Sequence, residues 1–261
     1  EMDSWLLARL KQRVIDWKDA MDEYDLRRAV ELSHYELPKD INWYVRRGGN
    51  NSSVGSKVLK SWSFMIALAT PHLAEDWWKQ IGESGMLASQ VMDEVSDLNE
   101  QERAILDSEE LLKSFLENAR KVKSIAERHL EGSAKHAKIV VSPDWKRDLA
   151  KMALSHIISG GNPKQFIGLL ANSELVNDEN KGQVMGFWSK RMLPQVFKWD
   201  DDTREIILSK LSEFKVFMDR TEFISNELGL VRVEVIMAES PEDDTGKAGA
   251  AMPLSPAIVY S

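Results

Sequence analysis

Few residues of this 261-residue chain are of types and spacings that could do chemistry. The histidines are His34, His72, His129, His136 and His156, and none stands in an H-E-x-x-H pair or another metal-ligand spacing. No cysteine is present, which excludes disulfides and thiolate metal sites and favours a reducing compartment. Gly49–Lys57 (GNNSSVGSK) resembles a phosphate-binding loop only in outline. It has five residues between its glycines where a P-loop has four, its order is Ser-Lys, and a helical pattern precedes it where a strand is needed. It reads as a flexible connection. Gly160-Gly161-Asn162-Pro163-Lys164 could hold a phosphate at a helix start, but a helix stop followed by a helix start accounts for it better. Asp200-Asp201-Asp202 suits a helix cap, and Glu242-Asp243-Asp244 a solvated loop. No serine or threonine sits in a nucleophile elbow. The sequence holds no self-contained active site.

What remains is the chemistry of binding polyanions. Between Arg120 and Lys151 lie Arg120, Lys121, Lys123, Arg128, Lys135, Lys138, Lys146, Arg147 and Lys151 against four acidic residues, a local excess of +5. Arg46-Arg47 with Lys57 and Lys60 form a second group beside the glycine-rich connection. Such groups neutralise phosphates without choosing a sequence, although a solvated helix face has the same composition. The whole chain carries −8, so it is no general nucleic-acid coat protein. Its 43% hydrophobic and 29% charged residues fit a globular protein with a sizeable core. No uninterrupted apolar run is long enough to span a membrane. Glu1-Met2-Asp3 opens directly into an amphipathic pattern, unlike a signal peptide.

Mostly helices must position these groups. The chain is organised around Gly55–Gly82, its most apolar run, divided by Pro71. Val58, Leu59, Trp62, Met65 and Ile66 recur at helical steps, and Thr70-Pro71 restarts the helix, with Thr70 expected to cap it. Trp5–Tyr24 is an amphipathic helix. Leu26–Arg47 is a second, carrying Ala29, Val30, Tyr35, Ile41 and Trp43-Tyr44 as its apolar set and kinked at Pro38. Gly48–Gly55 is a flexible connection, Gly82–Ser108 partly irregular, and Glu109–Leu130 helical up to Gly132-Ser133. These helices predict an antiparallel bundle over residues 1–132. From 133 to 261 the pattern changes. Strands are expected at Lys138–Val141, Val231–Met237 and Ala257–Tyr260, and helices over Pro143–Ile158, Pro163–Leu170, Lys181–Phe197 and Thr203–Leu228. The predicted class is therefore mainly α: an antiparallel helical bundle followed by a small α/β (α+β) domain.

Certain spellings within these helices match a known family. Pro71-His72-Leu73-Ala74-Glu75, with Trp78 beyond it, resembles the last part of the helical anticodon-binding domain of class I aminoacyl-tRNA synthetases. Asp3-Ser4-Trp5-Leu6-Leu7-Ala8-Arg9-Leu10, Leu26-Arg27-Arg28-Ala29 and Trp43-Tyr44-Val45-Arg46-Arg47 resemble the first and second bundle helices of the archaeal-type leucyl-tRNA synthetases. Gly246-Lys247-Ala248, Ala251-Met252-Pro253-Leu254 and Pro256-Ala257-Ile258 resemble the close of that type's C-terminal domain. Pro38 and the glycine/asparagine run after Arg47 depart from the pattern.

The resemblance implies a cytoplasmic ligase that joins leucine to tRNA(Leu) with ATP and Mg, whose catalytic and editing domains would lie before residue 1. The HIGH and KMSKS signatures are absent here, so catalysis and its cofactors would belong to the full enzyme. Residues 1–132 would be the anticodon-binding bundle and 133–261 a tRNA-binding domain that approaches the long variable arm. The tRNA-binding residues would be Arg46, Arg47, Lys57, Lys60, Arg120, Lys121, Lys123, Arg128 and Lys247. A stand-alone tRNA-binding module and a helical protein-interaction module are the alternatives.

Overall fold

The computed structural model describes residues 1–128, 132–162 and 165–261. The chain divides into two compact units, Glu1–Leu106 and Asp107–Ser261.

The first unit opens with α1, Met2–Asp22, whose Trp5, Leu6, Leu10 and Val14 are buried at helical spacing. Asp25 caps α2, Leu26–Glu31, by accepting from the Arg28 N–H at 3.0 Å. The chain then runs through a π-helical turn, Leu32–Glu36, into α3, Leu37–Arg46. The kink expected at Pro38 takes this form. The Leu37 N–H reaches back five residues to the Leu32 carbonyl, and the widened turn makes room for the proline ring.

The connection to α4, Ser52–Ile66, is shorter than expected. The Asn51 side chain accepts from the Ser53 N–H at 3.0 Å, so Ser52–Gly55 are helix and not linker. At α5, Pro71–Gln80, Thr70 occupies the cap position, but its hydroxyl donates back to the Ile66 carbonyl at 3.1 Å and leaves the cap unmade. The Glu75 carboxylate accepts from the Leu87 and Ala88 N–H groups at 3.0 and 3.1 Å, fixing a short 3₁₀ turn, Leu87–Ser89, in the irregular segment.

Helix α6 spans Glu100–Ala126, starting earlier than Glu109. Asn99 and Glu102 form a reciprocal box, each side chain accepting the other's backbone N–H at 2.9 and 2.8 Å. The expected helix end at Leu130, and His129, lie outside the described residues. Trp5, Leu6, Leu32, Leu37, Val58 and Met65 form the main core of the first unit, and Ile66, Ala74, Trp78 and Leu87 a second cluster.

The second unit contains a three-stranded mixed sheet of order β2-β1-β3. Strand β1, His136–Val141, pairs in parallel with β2, Arg232–Met237, and antiparallel with β3, Ala257–Tyr260. The parallel pair needs a long crossover, and the helices provide it. They are α7 (Asp144–Ile158), α8 (Phe166–Ala171), α9 (Lys181–Phe187), α10 (Leu193–Val196), α11 (Asp201–Leu208), α12 (Glu213–Met218) and α13 (Thr221–Leu228). Gly160, at φ +83°, stops α7 as expected, while Pro163-Lys164 lies outside the described residues. A second π turn, Trp188–Met192, precedes Pro194 as the first precedes Pro38.

The single helix expected over Thr203–Leu228 is instead three. Buried Arg147 draws the chain out of helix between α11 and α12. Its guanidinium donates to the Ile206 carbonyl at 2.7 Å, to Ser209 at 3.3 Å and to Leu211. Asp200 caps α11 through the Thr203 N–H at 2.8 Å, as the acidic run suggested. Leu149, Leu154, Phe166, Leu170, Trp188 and Ile207 make the helical core of this unit. Among the described residues, no helix is long and apolar enough to cross a membrane.

Candidate nucleic-acid interface

In the first unit the candidate residues flank a tightly tied turn. Arg46 ends α3 and is exposed, with its guanidinium 6.0 Å from the centre of the Trp43 ring, and Arg47 is half-buried beside it. Gly48 is left-handed at φ +88°, and at Gly49 a Cβ would stand 2.2 Å from the Tyr44 ring. The Tyr44 hydroxyl donates to Asp3 at 2.5 Å and accepts from the Asn51 N–H at 3.0 Å, and the Asn51 amide donates to Asp3 at 2.7 Å. These bonds, the one from Tyr44 foremost and then that from Asn51, hold the Asp3 carboxyl below its ordinary range. Asp3, Tyr44 and Asn51 thus fasten the start of α1 to the turn that carries Arg46 and Arg47. The glycine/asparagine run is a specific turn, not slack chain. Lys57 is exposed on α4, whereas Lys60 is spoken for by Glu83 at 3.2 Å.

On this side the acidic side chains are paired with arginines. Glu36 pairs with Arg13 and Arg28, and buried Asp40 accepts from Arg13 at 2.7 Å. Burial pushes Glu36 upward, but Arg28 and Arg13 outweigh it and hold the carboxyl below its usual range. Glu36 and Asp40 are therefore held by arginines, Asp40 in the interior. Tyr35, counted above among apolar positions, is 63% exposed. Lys39 and Asn42 are exposed as well. Sequence reading missed these three. Their signal was available in the steps 35, 39, 42 and 46, which fall on one helix face.

In the second unit the basic run of the sequence is dispersed. Arg120 pairs with Glu227, and Lys123 donates to the Leu228 carbonyl at 2.6 Å, so both fasten α6 to the C-terminal end of α13, where cations are favoured. Lys121 and Arg128 are exposed. Lys146 is buried and donates to the Ala248 and Ala251 carbonyls at 2.7 and 3.0 Å, and burial lowers its pKa. Arg147 is buried on carbonyls as described. The excess of +5 is thus only partly a surface property.

Lys247 is exposed on the loop after β2, and this loop is braced. Glu239, at φ +65°, accepts from the Trp145 indole at 3.0 Å and from Gln183 at 3.1 Å. Asp243 accepts from the Thr245 hydroxyl at 2.6 Å, that oxygen accepts from the Lys247 N–H at 3.2 Å, and Asp244 pairs with Lys138 at 2.7 Å. Of the three acidic residues read as solvated loop, Asp243 and Asp244 brace it.

A cleft of about 360 Å³ in the second unit is lined by Arg147, Asp144, Asp148, Lys151, Lys210 and Glu213 among others. Its charges are mixed, and its arginine is already committed to carbonyls and to Glu213 at 3.7 Å. Burial raises Glu213 to about 7. Among the described residues, no cluster of three or more histidine, aspartate or glutamate side chains could hold a metal ion. Arg46, Lys57, Lys121, Arg128 and Lys247 are thus exposed cations that the two units present, at separate places on a mainly helical scaffold.

Residues 3–138 match the profile of the anticodon-binding domain of tRNA ligase, and the chain belongs to this family. Over nearly its whole length it is similar to leucine–tRNA ligases of archaea. It is 30% identical to that of Methanococcus maripaludis strain C7, over 98% of this chain and 24% of the relative. It is 28% identical to that of Methanococcoides burtonii over 98% and 26%, and 29% identical to that of Pyrococcus furiosus over 99% and 25%. The chain spans about a quarter of the length of the curated relatives it matches.

Proposed function

We propose that this chain is the tRNA-docking part of an archaeal-type leucine–tRNA ligase. The full protein would join leucine to tRNA(Leu) in the cytoplasm using ATP and Mg, with its catalytic and editing domains supplied by other parts of the same polypeptide. Residues 1–132 would dock the tRNA through Arg46, Arg47 and Lys57, with Lys60 at the margin. Residues 133–261 would carry Lys247 toward the long variable arm, and Lys121 and Arg128 would contribute charge near the junction. Arg120 and Lys123 act in this reading by holding α6 and α13 together. The observation that carries the reading is the similarity to leucine–tRNA ligases along 98% of the chain, with the anticodon-binding profile over residues 3–138.

The test is a titration of the purified chain with tRNA at several salt concentrations. Phosphate contacts predict that log K falls linearly with log salt. Binding that ignores salt, or no binding at all, would sink the reading. The purified chain should also show no leucine-dependent ATP–pyrophosphate exchange, since it holds no nucleotide-binding signature; measurable exchange would overturn that assignment.

A further inference from the structure

A helix that serves only as scaffold turns its large rings inward and its charges outward in mixed sign. The stretch from Leu26 to Arg46 follows this rule at Trp43 and Tyr44 and departs from it at Tyr35. Its acidic side chains are occupied by arginines: Glu31 by Arg27 at 2.9 Å, Glu36 by Arg13 and Arg28, and Asp40 by Arg13. On the face left to solvent stand Tyr35, Lys39, Asn42 and Arg46, at steps of four, three and four residues. Tyr35 is 63% exposed, although Leu32 and Leu37, close to it in the chain, are fully buried. It lies in the π turn before Pro38. Such a turn alters which way successive side chains point, and π turns are found disproportionately at functional positions.

An exposed aromatic ring in line with cations of one sign is the combination that binds unpaired nucleotides. The ring offers a flat face to a base of any identity, and the cations follow the phosphates. A protein partner would use the ring and gain little from the cations; a duplex would use the cations and leave the ring idle. The amide of Asn42 adds both a donor and an acceptor for a base edge.

We propose that the face Tyr35–Lys39–Asn42–Arg46 takes an unpaired RNA base, with the Tyr35 ring stacked on it and Lys39 and Arg46 on the flanking phosphates. This rests on the RNA-docking reading and adds to it the kind of RNA feature that is held and the residue that holds it.

The experiment uses the 261-residue chain. Its probes are an unstructured oligoadenylate carrying one central 2-aminopurine, an RNA duplex of similar length, and whole tRNA. Tyr35→Ala should weaken oligoadenylate binding about tenfold or more, remove the fluorescence change of the 2-aminopurine, and leave the salt slope and duplex binding unchanged. Tyr35→Phe keeps the ring and should behave as the parent. Lys39→Ala should weaken single strand and duplex alike and lower the salt slope by about one unit. Because Tyr35 is exposed, its variants should melt with the parent. If Tyr35→Ala binds oligoadenylate as the parent does, or loses single strand and duplex equally, stacking is overturned. A parent chain that binds tRNA but not oligoadenylate overturns this inference alone. A parent that binds neither overturns the docking reading with it.

Discussion

The Trp62 indole N–H donates to the Ser33 carbonyl oxygen at 2.7 Å, in the place of a backbone donor that Pro38 cannot supply. In the π turn each N–H reaches back five residues, as Leu37 does to Leu32. The next donor would come from residue 38, and proline has none. A side chain from α4 therefore completes a hydrogen bond of the preceding helix. Pro38 is accommodated by the apolar run around which the chain is organised.

Trp62→Phe should cost about 1–3 kcal/mol, the penalty for a carbonyl left without a donor. Pro38→Ala would restore an N–H at the right position. The loss caused by Trp62→Phe should therefore be smaller in a Pro38→Ala background, measured as a double-mutant cycle by chemical denaturation. Equal losses in both backgrounds would refute the link.

Gly49→Ala places a methyl into the Tyr44 ring, 2.2 Å away before relaxation. The expected loss is about 1–3 kcal/mol by overpacking. Tyr44→Phe should lose about 1 kcal/mol by giving up its bonds to Asp3 and Asn51. If both changes are silent in thermal melting, the turn is not held as described.

Stability should depend on Glu213 in a defined pH window. Its folded-state pKa is raised from 4.5 to about 7, chiefly by burial. Between these values the folded chain binds a proton that the unfolded chain has released, so this contribution to stability is full below about pH 4.5 and lost as pH rises to about 7. The loss is on the order of 3 kcal/mol. Glu213→Gln, which cannot titrate, should flatten the stability curve between those two pH values. A variant whose curve runs parallel to the parent's would refute the assignment.

Reversing Arg46 and Arg47 to glutamate should weaken binding to any tRNA and flatten the salt slope by about one unit for each phosphate no longer neutralised. Filter binding at several salt concentrations measures both. An unchanged slope would remove these residues from the interface.

Removing the tail from Pro253 is a poor probe of tRNA discrimination. It takes away β3, which pairs with β1, and Tyr260, whose hydroxyl donates to the Ala119 carbonyl at 2.7 Å. Lys247→Ala spares both. If Lys247 senses the long variable arm, the variant should melt normally yet separate long-armed from short-armed tRNA less well than the parent. Undiminished discrimination would leave Lys247 without that role.

Much was decided by sequence alone, because the deciding interactions are local. Apolar residues at helical steps specified α1, α4 and α7, alternation and β-branching specified β1 and β2, and Asp200 and Gly160 marked a helix start and stop. The family spellings were legible for the same reason. Even the early start of α6 was written in the chain, as Asn99 three residues before Glu102.

Tertiary structure decided what depends on partners far apart in the chain. The run Thr203–Leu228 has a helical pattern, yet Arg147, some sixty residues earlier, collects its carbonyls and breaks it. Lys146, Arg147, Arg120 and Lys123 count as charge in a sequence, but the fold ties them to carbonyls and carboxylates, and for buried Lys146 and Arg147 the alternative is an unsatisfied buried group. Tyr35 counts as apolar, but the π turn and the inward pairing of Glu36 and Asp40 leave it facing water among cations. Composition gives the number of charges, whereas only packing determines which of them remain for a ligand.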